Sequence, residues 1–139
     1  MYNIFLRNDL PQLLDNNENQ QELWFQQDGA PPHFARQARD ALNEMFGNRW
    51  IGRGGPVNWP ARSPDLTPLD FFLWGFIKDK VMATPPTTPE NMKDRIRQAC
   101  NLVTPQMLNR VRNSCQKRIA KCLEVDGGHF EHLLRHDGR

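Results

Sequence analysis

The sequence lacks the features that define several broad classes of protein. Its 139 residues include three cysteines, an odd number that argues against a framework of disulfide bonds. Cys100, Cys115 and Cys122 fall mostly at apolar positions of predicted helices, so we expect reduced, buried thiols. The chain also has no internal repeat and no low-complexity tract, and its length fits one small domain or part of one.

Long apolar runs are missing too. No stretch approaches the roughly 20 apolar residues that span a bilayer, and the first residues do not follow the basic, apolar and small-residue order of a signal peptide. We therefore expect an intracellular chain with no membrane partner. Four tryptophans and eight phenylalanines nevertheless supply enough apolar surface for a small core.

A strong net charge is also absent, but the positive charges are unevenly placed. The formal net charge of +2 is too small to indicate a polyanionic partner. Thr88-Pro89 and Thr104-Pro105 predict the starts of two helices, and the second helix is basic with no acid over residues 104–123. Its basic residues are Arg110, Arg112, Lys117, Arg118 and Lys121. Such a helix either follows the phosphates of nucleic acid or presents a solvated face opposite a core-facing side.

Apolar residues recur at helical spacing in two stretches of the first third of the chain. Residues 3–14 predict a helix that is kinked or interrupted at Pro11. Residues 33–46 predict a second helix, which Gly47 stops. Between them, residues 23–27 form a short aromatic stretch bounded by polar and turn residues, which predicts a strand.

Asp28 follows that strand inside the segment WFQQDGAPPH, residues 24–33. An acid that ends a strand before a Gly/Pro break lies where strand tips open into a cleft, and such positions often carry chemistry. A turn-forming role is the alternative, because Asp-Gly is a common turn signal. His33 is also open to two interpretations: a contact to phosphate or to the loop, or a structural position at a helix start.

A predicted helix start places the second candidate acid. Thr67 offers an N-cap oxygen and Pro68 fits the first helical position, so a helix should begin here and run to about Val81. Asp70 then lies in the first turn, where the helix N-terminus favours the ionised carboxylate. The helix is apolar almost all round, and Trp74 is predicted as core.

The two acids form a candidate site if the predicted strands are parallel. Val57, Asn58 and Trp59 predict a minimal second strand, which the helix at 33–46 joins to the first. Parallel strands joined in this way bring Asp28 and Asp70 to the same edge of the sheet. Two such carboxylates suit Mg²⁺, which takes carboxylate, water and phosphate oxygens. A two-metal site there would activate water or a 3′ hydroxyl for phosphoryl transfer.

Other possible ligands fit less well. Asp65 lies in SPDL just before the predicted helix, where a turn or capping role is favoured. Cys115 and Cys122 are separated by six residues and His129 and His132 by two. This spacing misses the usual pattern of a zinc finger.

Two linked segments resemble a known family. WFQQDGAPPH, followed after a helix by WPARSPDLTPLDFFLWGFIKDKV, closely resembles the catalytic core of mariner-superfamily transposases, which belong to the retroviral-integrase or RNase H-like group. In that family a strand carries the second catalytic acid in a Q-D-x-A-P-x-H context, and a W-P-x-x-S-P-D-L-x-P block leads to the third at a helix start. The resemblance covers nearly the whole chain. It implies that Asp28 and Asp70 are the second and third metal ligands, with Mg²⁺ or Mn²⁺ as the cofactor.

The resemblance also implies a fold. We expect an α/β structure, a partial RNase H-like (retroviral integrase-like) fold that lacks its first strands and carries additional C-terminal α-helices. Residues 1–83 would be the C-terminal part of the catalytic domain, and residues 84–139 a helical extension. Compared with the best-known members, GNRWIGRGG, residues 47–55, forms an extra loop between the two acids.

The function implied is that of a fragment of a DNA transposase, which cleaves DNA and transfers strands with the help of metal ions. DNA and a second transposase subunit would be its partners, and the nucleus its location. The first catalytic Asp and the DNA-binding N-terminal region of the family have no counterpart in residues 1–22, so we expect weak metal binding or none, and little or no catalysis. The alternative is a non-catalytic, transposon-derived module that binds nucleic acid or another transposase.

Overall fold

The computed structural model describes residues 1–59 and 66–134. The chain divides into two compact units, Met1–Ser63 and Pro64–Arg139, and each is described by itself. The division between residues 83 and 84 expected from the sequence concerns the catalytic domain and its extension, and it stays a prediction. Within unit 2, Ile77 and Val81 pack against Ala99 in one buried cluster, which ties the helix that follows Asp70 to the next helix of the chain.

Unit 1 begins with a helical stretch, as the apolar pattern predicts. Helix α1 (Tyr2–Ile4) continues through a π-helical stretch (Phe5–Asp9) into α2 (Leu10–Leu14). Pro11 lies in the first turn of α2, where its missing N–H is tolerated. The interruption expected at Pro11 is therefore a widened turn just before the proline.

Two helices occupy the region predicted as one. Helix α3 (Pro31–Phe34) and helix α4 (Arg36–Phe46) are separated at Ala35, whose ψ of 142° is extended rather than helical. The stop predicted at Gly47 is confirmed, because Gly47 caps α4 with a φ of 59°, a conformation that glycine adopts at little cost.

A parallel pair of strands lies beside these helices. Strand β1 (Phe25–Gln26) pairs with β2 (Trp50–Ile51) in the register Phe25 with Trp50 and Gln26 with Ile51. The prediction of a second strand at Val57–Trp59 is wrong. Of these three residues, only Val57 pairs with the sheet, through a single parallel bridge to Ile51. The neighbour of β1 instead comes from the segment that the sequence assigned to an extra loop.

The core of unit 1 is built around Trp50, whose side chain is fully buried. Its indole Nε1 donates to Asn43 Oδ1 on α4 at 2.9 Å, which satisfies the only polar atom of the ring. The buried apolar cluster consists of Leu6, Leu10, Ala38, Ala41, Leu42, Phe46 and Trp50. The initial helical stretch, α4 and β2 are therefore held together by one apolar contact region.

Unit 2 contains the helix predicted to begin near Asp70. A π-helical stretch (Leu69–Leu73) leads into α5 (Trp74–Val81). Thr67 does not cap this helix with its hydroxyl; its carbonyl accepts from the N–H groups of Asp70 and Phe71 at 2.9 and 3.0 Å. Trp74 is 53% exposed, so the prediction that it belongs to the core is wrong.

Three further helices follow in the described part of unit 2: α6 (Pro89–Asn101), α7 (Pro105–Glu124) and α8 (Glu131–Leu134). Both predicted Thr-Pro starts are confirmed. Thr88 Oγ1 accepts from the Asn91 N–H at 3.0 Å, and Thr104 Oγ1 accepts from the Met107 N–H at 3.2 Å. Each hydroxyl thus satisfies one of the N–H groups that a helix start leaves without a partner.

The cysteines are free, as predicted, but they are not all buried. Cys100 is exposed, and Cys115 and Cys122 are half-buried. Across residues 1–59 and 66–134, no helix combines the length and the apolar character needed to cross a membrane.

Candidate functional site

Asp28 lies at the carboxyl end of β1, where the sequence placed it. Its side chain is 61% exposed. Oδ1 accepts from the Ala30 N–H at 3.1 Å and from His33 Nδ1 at 2.5 Å, so this oxygen holds the turn and the start of α3. In the described part of the chain, Oδ2 accepts no hydrogen bond. One carboxylate therefore combines the turn-forming role with a free oxygen that faces solvent.

Gln27 fixes the backbone of His33 through a hydrogen bond from its buried side chain. Gln27 is 6% exposed, and its Nε2 donates to the His33 carbonyl at 2.9 Å. Tyr2 in turn donates its hydroxyl to Gln27 Oε1 at 2.6 Å, and its ring lies 4.2 Å from the His33 ring between centroids. The buried amide is thus satisfied on both its polar atoms, as a buried polar group requires. These contacts orient the imidazole towards Asp28.

The phenol of Tyr2 is the titratable group most affected by this arrangement. Burial and, to a smaller extent, the nearby negative charge of Asp28 together raise the pKa of Tyr2 to about 12. Tyr2 therefore remains protonated at neutral pH and keeps donating to Gln27. Sequence reasoning missed both Tyr2 and Gln27, although a glutamine directly before the acid was visible in the segment.

Asp70 lies in unit 2, in the first turn of the Leu69–Leu73 stretch, and is exposed. Its backbone N–H donates to the Thr67 carbonyl, which fixes the residue at the start of the helix. A carboxylate at this position benefits from the partial positive charge of the helix N-terminus. Asp65 lies outside the described residues.

Each of the two acids has the chemistry of a ligand for a hard divalent cation. In unit 1, Asp28 offers one oxygen that accepts no hydrogen bond from the described residues. In unit 2, Asp70 offers an exposed carboxylate. Mg²⁺ binds carboxylate, water and phosphate oxygens. Among residues 1–59 and 66–134, no group of three or more His, Cys, Asp or Glu side chains is placed to hold a metal ion. Cys115, Cys122, His129 and His132 all lie inside these ranges, so they are not gathered into a group of this kind.

The five basic residues of α7 differ in what surrounds them. Arg110, Arg112 and Lys117 are exposed. The Arg118 side chain is 12% exposed, pairs with Glu131 on α8 at 2.7 Å and lies 4.2 Å from the centre of the Phe71 ring. Lys121 pairs with Glu124 at 3.1 Å. Arg118 thus connects α7 to its neighbours, while Arg110, Arg112 and Lys117 lie in solvent.

A shallow cavity of about 320 Å³ lies in unit 2 beside the first turns after Asp70. It is lined by Phe71, Phe72, Met107, Arg110, Val111, Ser114 and Arg118. Arg110 is thus both a basic residue of α7 and part of a mainly apolar wall.

Comparison with known proteins relates this chain to the transposases of mobile DNA elements. The Tc3 transposase of Caenorhabditis elegans, a transposable element transposase, is 30% identical over 105 residues. The match covers 74% of this chain but 30% of the nematode protein, so the chain corresponds to less than a third of that relative. No family model matches the chain, and no solved structure matches it. The predicted relationship to transposases is confirmed, and the distant similarity indicates a transposon-derived protein.

Proposed function

We propose that this chain is part of the RNase H-like catalytic domain of a mariner-superfamily transposase, and that Asp28 and Asp70 are two of its metal ligands. The observation that carries the proposal is the exposed carboxylate of Asp28 at the end of a parallel strand. Its Oδ1 is held by the Ala30 N–H and by His33, and Oδ2 remains available. The similarity to a nematode transposase supports the same class of function.

The proposed cofactor is Mg²⁺ or Mn²⁺. When bound, such an ion would help to activate an attacking hydroxyl and to stabilise the leaving oxygen of a DNA strand. In this scheme the chain's own residues position the ligands. His33 and the Ala30 N–H restrict the rotation of the Asp28 side chain, and the helix start holds the backbone of Asp70. A carboxylate held as Asp28 is loses less freedom when an ion binds.

Residues 1–139 contribute two of the three acids that such a site uses. We expect these residues by themselves to bind metal weakly and to lack DNA cleavage, because the chemistry depends on complete and accurate coordination. DNA cleavage and strand transfer would then belong to the whole transposase, acting on DNA in the nucleus with a second subunit as partner.

A second candidate function is DNA binding without catalysis. The exposed cations Arg110, Arg112 and Lys117 on α7 favour it, because none of the three forms an ion pair with a described residue and each can therefore approach a phosphate directly. Binding of this kind depends little on sequence and weakens steeply with salt. The same surface would serve either a catalytic fragment or a non-catalytic module that binds DNA or another transposase.

Titration of Mn²⁺ into the purified chain tests the first proposal. We expect weak binding by the natural chain and a loss of at least tenfold in affinity for both Asp28→Asn and Asp70→Asn. Asn is nearly isosteric with Asp and also accepts hydrogen bonds, so the turn at position 28 should persist.

Asp9→Asn and Asp79→Asn are the matched controls, since each removes an exposed acid from the same unit as its counterpart. Both should bind Mn²⁺ like the natural chain. Unchanged binding by Asp28→Asn would contradict the assignment of this residue.

A further inference from the structure

The ring of Phe34 is contacted by two arginines. The guanidinium carbon of Arg53 lies 4.3 Å from the ring centre and that of Arg39 lies 4.8 Å from it. In the part of unit 1 that the structure describes, neither arginine pairs with a carboxylate. Nε of Arg39 is buried and has no hydrogen-bond partner there. Two positively charged groups therefore contact one aromatic ring, and the Arg39 Nε–H donor beside it has no hydrogen-bond partner among the described residues.

The glycine-rich loop after β2 brings Arg53 to this position. Gly54 has a φ of 75°, and a Cβ atom there would lie 2.9 Å from Phe34 Cε2 and 3.2 Å from Arg39 Cδ. A side chain at position 54 would thus collide with the ring, and the positive φ also favours glycine. The close approach of the loop backbone to Phe34 fixes Arg53 beside the same ring.

We propose that Arg39 and Arg53, stacked on Phe34, bind a phosphate group of the DNA backbone. This inference rests on the proposed function, because it takes the phosphate from DNA. Stacking holds each planar guanidinium in place and leaves its N–H edge free for the oxygens of an anion. A phosphate bound by both guanidinium groups would offset their mutual repulsion.

The position of this pair in the sequence agrees with a role next to the candidate metal ligand. Phe34 directly follows His33, and His33 contacts Asp28. A DNA strand anchored by a phosphate at Phe34 would therefore run close to the free oxygen of Asp28. The glycine-rich loop after β2 would then have a function of its own, which is to add a second arginine to this anchor.

Binding of a short DNA duplex over a series of salt concentrations tests the pair. Arg53→Gln and Arg39→Gln should each weaken binding about fivefold and each lower the slope of log affinity against log salt by no more than about 0.9, the value for one lost phosphate contact. Arg53→Lys should recover part of the affinity, because it keeps the charge but loses the planar stacking. Arg36→Gln is the matched control. Arg36 is exposed and lies on α4 like Arg39, but its Nε lies 3.8 Å from Asp40 Oδ2.

Arg53 is exposed, so Arg53→Gln tests the proposal even if Arg39→Gln does not fold. If the natural chain binds DNA and Arg53→Gln behaves like Arg36→Gln, the phosphate site is wrong while DNA binding stands. Inorganic pyrophosphate separates the proposal of an anion site from the proposal that its ligand is DNA. The measurement is the change that pyrophosphate causes in the melting temperature of the chain. Stabilisation that needs Arg53, in a chain that does not bind DNA, would support the anion site and overturn its assignment to DNA. No response to either ligand would overturn both.

Discussion

Gly55 packs directly onto Trp50. A Cβ atom at position 55 would lie 2.6 Å from Cζ3 of the indole ring, and the indole itself is fully buried. The loop that carries Arg53 can therefore fold back over the core of unit 1 only if position 55 has no side chain.

Gly55→Ala should consequently destabilise the protein by about 1–3 kcal/mol, the usual cost of forcing an extra methyl group into a packed site. Urea denaturation followed by tryptophan fluorescence measures this change. Gly75→Ala is the control. Apart from its chain neighbours and the backbone of its own helix, no atom of the described residues lies within 4 Å of a Cβ there, and the position is inside α5. That variant should be more stable by about 0.5–1 kcal/mol. Equal effects of the two substitutions would contradict the packing described for Gly55.

The threonine caps of α6 and α7 should each contribute to the free energy of unfolding. Thr88→Ala and Thr104→Ala each remove a hydroxyl that accepts a backbone N–H, so each should cost about 1 kcal/mol of the free energy of unfolding. Chemical denaturation again provides the measurement. Thr67→Ala serves as the control, because the Thr67 hydroxyl caps no helix and its loss should change stability much less. A cost at Thr67 as large as at Thr104 would argue against the assigned caps.

Tyr2 is the single tyrosine of the chain, so its titration can be followed by ultraviolet absorbance. The folded protein should show a pKa of about 12, and urea should return it towards the ordinary value of about 10. Because the folded pKa is the higher one, the folded state keeps its proton longer. The stability associated with this proton is complete below pH 10 and is lost as the pH rises towards 12.

Tyr2→Phe checks this dependence on pH. The variant loses the hydrogen bond to the buried Gln27, at a cost of about 1 kcal/mol near neutral pH, and it should lack the additional loss of stability between pH 10 and 12. An absorbance titration near pH 10 in the folded protein would show that Tyr2 is not buried against Gln27.

The basic residues of α7 should differ in whether they affect DNA binding or stability. Replacement of Arg110, Arg112 and Lys117 by Gln should flatten the salt dependence of DNA binding without loss of stability, because all three are exposed. Arg118→Gln should instead lower the melting temperature, since Arg118 pairs with Glu131 and stacks on Phe71. Lys93→Gln on α6 controls for the general effect of charge. A salt slope that the triple variant leaves unchanged would assign these three cations to solvent.

The features that sequence reasoning predicted well are local ones. The helix starts at Thr88-Pro89 and Thr104-Pro105 depend on hydrogen bonds between residues three positions apart. The exposed position of Asp28 was predictable from the turn-forming residues that follow it. The second strand could not be placed from the sequence, because a two-residue strand is defined by its partner, and Trp50 stands beside a glycine-rich loop. The contacts of Tyr2 with Gln27 and of Arg53 with Phe34 could not be predicted either, since they join segments that are distant in sequence. The RNase H-like fold and the metal-binding roles of Asp28 and Asp70 stay predictions.

The Thr-Pro helix starts also have a consequence for the order of folding. Proline fixes φ at each first helical position and threonine supplies the first hydrogen bond, so α6 and α7 can nucleate early from contacts between close neighbours. The pairing of β1 with β2 instead requires closure of the loop from Phe25 to Trp50, and non-local pairing of this kind is slow. In hydrogen exchange during refolding, the amides of α6 and α7 should therefore be protected before those of Phe25 and Gln27.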